Sequence, residues 1–211
     1  MDGQTIDGQR RHWQRTFVDN HDMYGTEPSA PGRYAVELFS REHVRDVLEL
    51  GGGQGRDTRA FAAAKFHVTA LDYEANALEL IRRELPVIST LTHDARELLP
   101  FGDASFNAVY SHMLFNLALS TVELEALAGE VRRVLRPGGW HIYTVRHTGD
   151  AHYGAGIDHG DGMFENGGFI VHFFDRALVE RLAAGLTLVE VFEFEEGALP
   201  RKLWRVTLHK A

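Results

Sequence analysis

The chain reads as an α/β domain: an open, mostly parallel sheet with helices on both faces and an antiparallel strand at its C-terminal end. Three observations predict this. From Asp46 to Val145 short apolar runs alternate with runs of helical period, the pattern of repeated strand–helix units. A glycine-rich turn, Gly51-Gly52-Gly53-Gln54-Gly55, separates the first apolar run from the helix after it. The chain closes on two further strand-like runs, Leu186–Glu195 and Lys202–Lys210, whose short connection leaves no room for a crossover helix and makes them antiparallel.

Residues 1–9 are polar and glycine-containing. Trp13 and Phe17 follow Arg10 at helical spacing, with Tyr24 one step beyond, and predict an amphipathic helix ending before Gly25. A turn over residues 26–32 leads to a second helix near 32–42, with Tyr34, Leu38 and Phe39 on its inner side. Strands are expected over Asp46–Leu50, His67–Tyr73, Val87–His93, Asn107–Met113 and Trp140–Val145. Helices are expected over Thr58–Ala64, over Ala75–Leu85 with Leu78, Ile81 and Leu85 inward and Pro86 as its stop, and over residues 121–135. Ser120 and Glu123 form a capping box for that last helix, and Leu124, Ala128, Val131 and Leu135 are its apolar stripe. Arg132, Arg133 and Arg136 suit its negative end, and Pro137-Gly138-Gly139 terminates it. Asp175 caps a further helix through Leu182. In the closing strand Trp204, Val206 and Leu208 alternate with Arg205, Thr207 and His209, and Glu193, Glu195 and Glu196 suit an exposed edge.

The length of 211 residues fits one domain spanning 1–211, with a helical N-terminal cap segment at 1–42 and a substrate-side loop insertion at 148–174. Thr148–Asn166 is rich in Gly, His and Asp and too long for a plain connector, and long loops over an α/β rim are commonly functional. A net charge of −8 argues against a broad nucleic-acid-binding surface. No cysteine is present, which excludes disulfides and thiolate metal sites. No apolar run reaches the ~18 residues of a membrane span and the N-terminus carries no signal-like stretch, so the expectation is a cytoplasmic protein without a membrane partner.

Candidate site residues follow from topology. Ligands of parallel sheets sit beyond the carboxyl ends of the strands, where Gly51–Gly55, Asp72, Asp94, His112 and His147 all fall. Glycines let a ligand approach the backbone, and the N–H groups opening the next helix hold a polar or anionic group. The dinucleotide fingerprint is met at Gly51 and Gly53, but Arg56 stands at its third glycine position. Asp72, 23 residues after Glu49, suits two ribose hydroxyls, which fits either class of nucleotide cofactor.

Glu49-x-Gly51-x-Gly53-x-Gly55, read with His93-Asp94-Ala95-Arg96, with Ser105-Phe106-Asn107-Ala108-Val109 and with the turn Arg136-Pro137-Gly138-Gly139, resembles the class I methyltransferases that use S-adenosylmethionine (SAM). The family pattern has a second Asp where this chain has Asn107. The resemblance covers roughly residues 24–210 and implies a Rossmann-like seven-stranded sheet. It implies SAM as cofactor and S-adenosylhomocysteine as product. It implies that Glu49 and the Gly51, Gly53 and Gly55 backbone lie near the methionine part, that Asp72 holds the ribose with Tyr73 beside the adenine, and that Asp94 and Ala95 read the adenine edge. His112 and Met113 would lie beneath the sulfonium, and Tyr24 would close over the cofactor.

The acceptor is expected to be a small molecule bearing O, N or S, on a monomer or homodimer. Ser111-His112-Met113-Leu114-Phe115-Asn116 holds no Asp/Asn-Pro-Pro-aromatic signature of nucleic-acid amino-methylation. A base is needed for a hydroxyl or protonated amine, and among twelve histidines His147 and His112 follow sheet strands, with His147 the first choice. His152, Asp158, His159 and Asp161 match no closed metal motif, and no metal is expected. Phe115, Tyr153, Phe164, Phe169, Phe173 and Phe174 suit either an acceptor wall or core beneath a loop. A SAM-binding subunit without turnover and an NAD-type oxidoreductase stay open as alternatives.

Overall fold

The computed structural model describes residues 8, 9, 11–13, 15, 16, 25–197 and 201–211. Tyr24 and Phe17 lie outside the described residues. Helical residues 8, 9, 11–13, 15 and 16 form α1. Then come α2 (Ala30–Arg41), β1 (Asp46–Leu50), α3 (Arg56–Ala63), β2 (His67–Asp72), α4 (Ala75–Glu84), β3 (Ser89–Thr92) and β4 (Phe106–His112). The second half holds α5 (Thr121–Val134), β5 (Leu135–Arg146), β6 (Ile157–Gly160), β7 (Met163–Asn166), β8 (Phe169–His172), α6 (Arg176–Leu182), β9 (Thr187–Glu196) and β10 (Arg201–His209).

Seven strands form one sheet in the order β3-β2-β1-β4-β5-β10-β9. The first five pair in parallel, and β10 runs antiparallel to both β5 and β9. This is the seven-stranded, mostly parallel arrangement the sequence predicts.

The period-2 alternation of the strands sorts their side chains into two cores. Val47, Val68, Ala70, Ala108, Tyr110 and Ile142 face α2, α3 and α4, where Phe39, Phe61, Leu78 and Ile81 meet them. Leu48, Leu50, Leu71, Val109, Tyr143 and Val145 face α5 and α6, against Leu124, Val131, Leu178 and Leu182. Each buried Leu, Ile or Phe contributes roughly 1.5–3 kcal/mol by leaving water. Local signals agree with the packing. Ser29 caps α2 by accepting the Gly32 N–H at 2.8 Å, and Ser120 with Glu123 closes the expected capping box on α5.

Three differences from the sequence reading have physical causes. The third strand begins at Ser89, because residues 86–88 turn after α4 and Val87 is 85% exposed. α5 stops at Val134, because Leu135 already pairs with Phe106 and the Pro-Gly-Gly segment bulges out before Trp140 rejoins Ala108. The ammonium of Lys210 donates to the Arg132 and Leu135 carbonyls and so satisfies that helix end. Within the stretch 148–174 residues 157–172 are not loop: β6, β7 and β8 form a separate antiparallel sheet of three strands. Arg205 and Thr207, the polar residues of the alternation in the closing strand, are buried as well. α2 covers their face, and the Arg205 guanidinium lies 3.4 Å from the centre of the Tyr34 ring and 2.5 Å from Glu190.

Candidate active site

The carboxyl ends of β1, β2 and β4 open into one cleft of about 980 Å³, its open mouth included. Its floor is the glycine loop. The N–H groups of Gly51 and Gly52 donate to the Leu71 carbonyl at 2.8 and 3.1 Å and lock the loop onto the neighbouring strand. Gly55, at φ +84°, caps α3, and a Cβ there would stand 2.8 Å from Ile81, so only glycine fits this turn. Gly51, at φ +75°, leaves room for Leu114, to which an added Cβ would come within 3.3 Å.

Two buried carboxylates face this loop. Glu49 accepts from the Thr58 hydroxyl at 2.5 Å. Burial lifts its pKa to about 8, with the Thr58 hydrogen bond opposing and the charges of Asp57 and Asp72 reinforcing the shift. Asp72 accepts from the Gly53 N–H at 2.8 Å and from the Glu74 N–H at 2.9 Å. Burial raises it to about 6 against those two donors. Each carboxylate keeps lone pairs beyond these bonds. A ligand presenting a cation to one and hydroxyls to the other matches this electrostatic need.

Tyr73, His93 and Ala95 line the next part of the cleft, and Trp13 of α1 and Gly25 reach in from the N-terminal segment. An adjoining lobe is lined by Asp94, Ala95, Arg96 and Leu119. Asp94 is turned toward its own Arg96, whose Nε and Nη2 donate to it at 2.9 and 2.5 Å. Asn107, the departure from the family pattern, sits at the opposite end of β4. There it accepts from the Asp46 N–H at 3.1 Å, away from the cleft.

His112 and Met113 border the cleft on the β4 side together with Leu114 and Leu117. Met113 holds φ +61°, an uncommon conformation for a side chain with a Cβ. Its N–H donates to Thr144 Oγ1 at 2.9 Å, and the same oxygen lies 2.8 Å from His112 Nδ1. His112 Nε2 stands 3.0 Å from Glu196 Oε2, while Arg56 Nη1 donates to Glu196 Oε1 at 3.0 Å.

His147 is placed differently. It lies outside the cleft lining, stacked on Trp204 at 4.5 Å with nearly parallel rings, and its Nδ1 accepts from the Gly149 N–H at 3.0 Å. Burial lowers its pKa, with Glu193 and Asp150 acting in the other direction. The histidine-rich stretch is likewise occupied locally. His159 contacts Glu165 at 2.8 Å, and Asp161 accepts from the Thr121 N–H and hydroxyl at 2.6 and 2.7 Å. Among the described residues no group of three or more His, Asp or Glu is arranged to hold a metal. Phe115 and Phe174 are core, Tyr153, Phe164 and Phe173 cluster under the small sheet, and Phe169 packs on His12 and Trp13.

Sequence reasoning missed three groups. Asp57 is buried and accepts from the Ser29 N–H, the Ser29 hydroxyl and the Tyr110 hydroxyl at 2.7, 2.7 and 2.6 Å. Arg56, which stands where the dinucleotide fingerprint has a glycine, bonds Glu196. Glu196 lies at the rim and not on an exposed edge, and a signal exists: two strands that both pair antiparallel with β10 run the same way, so the end of β9 must meet the same rim.

Comparison with known proteins agrees with this geometry. The methyltransferase domain family matches residues 47–139. A demethylmenaquinone methyltransferase of Renibacterium salmoninarum is 33% identical over 132 residues, covering 63% of this chain and 46% of that protein. A malonyl-[acyl-carrier protein] O-methyltransferase of Halorhodospira halophila is 33% identical over 148 residues, covering 65% and 48%. The chain thus spans about half the length of the curated relatives it matches. In fold it is similar to the Burkholderia thailandensis 1,6-didemethyltoxoflavin-N1-methyltransferase, solved with bound 1,6-didemethyltoxoflavin and S-adenosylhomocysteine, at a TM-score of 0.75 and 20% identity over 99% of this chain and 89% of that one. Residues 47–139 thus match a methyltransferase domain, and the motifs, sheet order and curated relatives are similar to those of the class I SAM-dependent methyltransferases.

Proposed function

We propose that the chain is an enzyme that binds SAM in the glycine-loop cleft and transfers its methyl group to a small-molecule acceptor. The observation that carries this reading is the pair of buried carboxylates, Glu49 and Asp72, converging on a loop with no room for side chains at Gly51 and Gly55. Burial raises both pKa values, and a cationic ligand would restore the ionised carboxylates, whereas the anionic pyrophosphate of NAD would oppose them. The antiparallel β9–β10 pair also departs from a dehydrogenase sheet that continues in parallel.

When bound, the cofactor supplies an electrophilic methyl on a sulfonium, open to in-line displacement. Glu49 and the loop backbone hold the methionyl end, Asp72 accepts from the ribose hydroxyls, and Tyr73, Asp94 and Ala95 border the base. Trp13, Met113, Leu114 and Leu117 exclude water from the reacting pair. His112 Nδ1 lies 2.8 Å from the Thr144 hydroxyl, and in the tautomer with the proton on Nδ1 His112 would present a lone pair on Nε2 and serve as the proton acceptor. On geometry we favour His112 over His147 for this role. The small sheet of residues 157–172 belongs to the acceptor side, resting on the loop that follows β4 through the His172 N–H to the Asn116 carbonyl at 3.0 Å.

The test is calorimetric titration of the protein with SAM, S-adenosylhomocysteine and NAD in parallel. SAM and S-adenosylhomocysteine should bind and NAD should not. Asp72→Ala should weaken SAM at least about tenfold, since ribose bonds to a charged acceptor are worth roughly 1.5–3 kcal/mol each. Preference for NAD would overturn the reading.

A further inference from the structure

Glu196 is the polar group of the rim that the reading above leaves without a role. It ends β9, on the far side of two intervening strands from β4, and its side chain reaches back to bridge two residues that line the cleft, Arg56 and His112. The Arg56 side is a formed hydrogen bond of 3.0 Å. The His112 side is different: Nε2 and Oε2 stand 3.0 Å apart, both atoms are buried, and neither is aligned with any hydrogen-bond partner. Buried polar atoms are rarely left so. Arg56 and His112 both border the cleft, so the contacts of the Glu196 carboxylate fix the geometry of its wall. Burial pushes Glu196 up, but the His112 imidazole and the Arg56 guanidinium beside it outweigh burial and hold the carboxylate below its usual range.

We propose that Glu196 is a positioning residue for His112, and that the acceptor is a neutral protic group, a hydroxyl or a ring N–H, rather than a thiolate. The inference rests on the methyltransferase reading. Arg56 fixes one carboxylate oxygen, so the other is aimed at the imidazole. A bond forms between the acceptor O or N and the methyl carbon as the carbon–sulfonium bond breaks, and its electron pair stays on sulfur. The acceptor's proton passes to His112 Nε2, and the imidazolium is stabilised by the adjacent Glu196 carboxylate. A thiolate brings no proton and has no use for this pair.

The test uses the whole chain and a panel of phenols, ring N–H heterocycles and alkyl thiols as acceptors, with SAM binding measured separately by calorimetry. The wild type should methylate members of the first two groups. Glu196→Gln keeps the shape and removes the charge. It should leave the SAM dissociation constant within about twofold while lowering kcat for protic acceptors by about 10²-fold, the scale of a general-base contribution, with KM little changed. Glu196→Asp should restore part of that loss, which a merely structural side chain would not do. Unchanged kcat in Glu196→Gln overturns the assignment. So does a wild type that binds SAM but methylates only thiols, in which case the family reading stands and this inference alone falls. Absence of SAM binding in the wild type removes both.

Discussion

At the scale of single residues, Glu49 makes the cleft responsive to pH. Its folded pKa of about 8 lies above the ordinary 4.5, so the free protein binds a proton there that the unfolded chain releases. Stability from this group is therefore fully present below 4.5 and is lost as pH rises through 8. A cationic ligand acts in the opposite sense, because it favours the ionised carboxylate. SAM affinity should thus fall as pH drops below 8, by up to about tenfold per unit for one proton, and fall further as Asp72 protonates near 6. Calorimetry at pH 7 in buffers of different ionisation enthalpy should report close to one proton released on binding. Glu49→Gln, which keeps an acceptor for Thr58, should abolish that release, weaken SAM, and raise the melting temperature of the free protein at alkaline pH. For a chain of this size each 1 kcal/mol gained appears as roughly 2–4 °C. Proton uptake, or a mutant melting below the wild type at alkaline pH, would contradict the assignment.

At the scale of elements, Asp57 joins three parts of the fold: the cap of α2, the first turn of α3 and the middle of β4. All of its partners are donors, so the carboxylate is the only side chain of that size that satisfies them. Asp57→Asn turns one oxygen into an N–H that faces the Ser29 and Tyr110 hydroxyls. The substitution should destabilise the fold by about 2–4 kcal/mol, the sum of a lost charge-assisted bond and an unsatisfied buried donor, measured by urea unfolding. A loss under about 0.5 kcal/mol, the range of surface substitutions, would show the network to be dispensable. This network was invisible in sequence because its members lie 28 and 53 residues apart, and no local period links them. Elements with a strong period were legible to within a residue or two: Asp46–Leu50 and the ends of α4 are set by Leu, Val and Ile spacing and by Pro86. The small sheet was not, because its strands are four residues each and are joined by positive-φ turns at residues 160–162 and 167–168, which read as loop. The residues proposed to hold the cofactor were visible for the same reason as the strands, since a glycine loop and acids at strand ends are local features. The Arg56–Glu196–His112 group depends on strand direction and on a hairpin that returns to the rim.

At the scale of the whole molecule, the cleft is closed by two segments far apart in the chain. α1 contributes Trp13 to the cleft lining, and the tip of the small sheet holds α1 in place. The Gln9 amide donates to the Gly168 carbonyl at 2.8 Å and accepts from the Ile170 N–H at 3.1 Å, so the side chain continues the sheet edge as a backbone would. Phe169 then packs against His12 at 4.2 Å and Trp13 at 4.8 Å between ring centres. The other end of the small sheet is anchored by Asp161 at the start of α5. The small sheet, α1 and the cleft are thus one connected unit, and a change at Phe169, which does not line the cleft, should be felt inside it. Phe169→Ala removes the ring under Trp13 while leaving the seven-stranded sheet and both of its cores untouched. It should weaken SAM about 5- to 10-fold, the low end of the usual coupling between linked sites, with a melting temperature close to that of the wild type. Hydrogen exchange of residues 8–16 with SAM bound should quicken in the variant, because ligand protection of α1 passes through this contact. An affinity equal to that of the wild type would mean that α1 closes over the cleft by its own contacts. A large drop in melting temperature would mean that the small sheet supports the fold itself as well as the wall of the cleft.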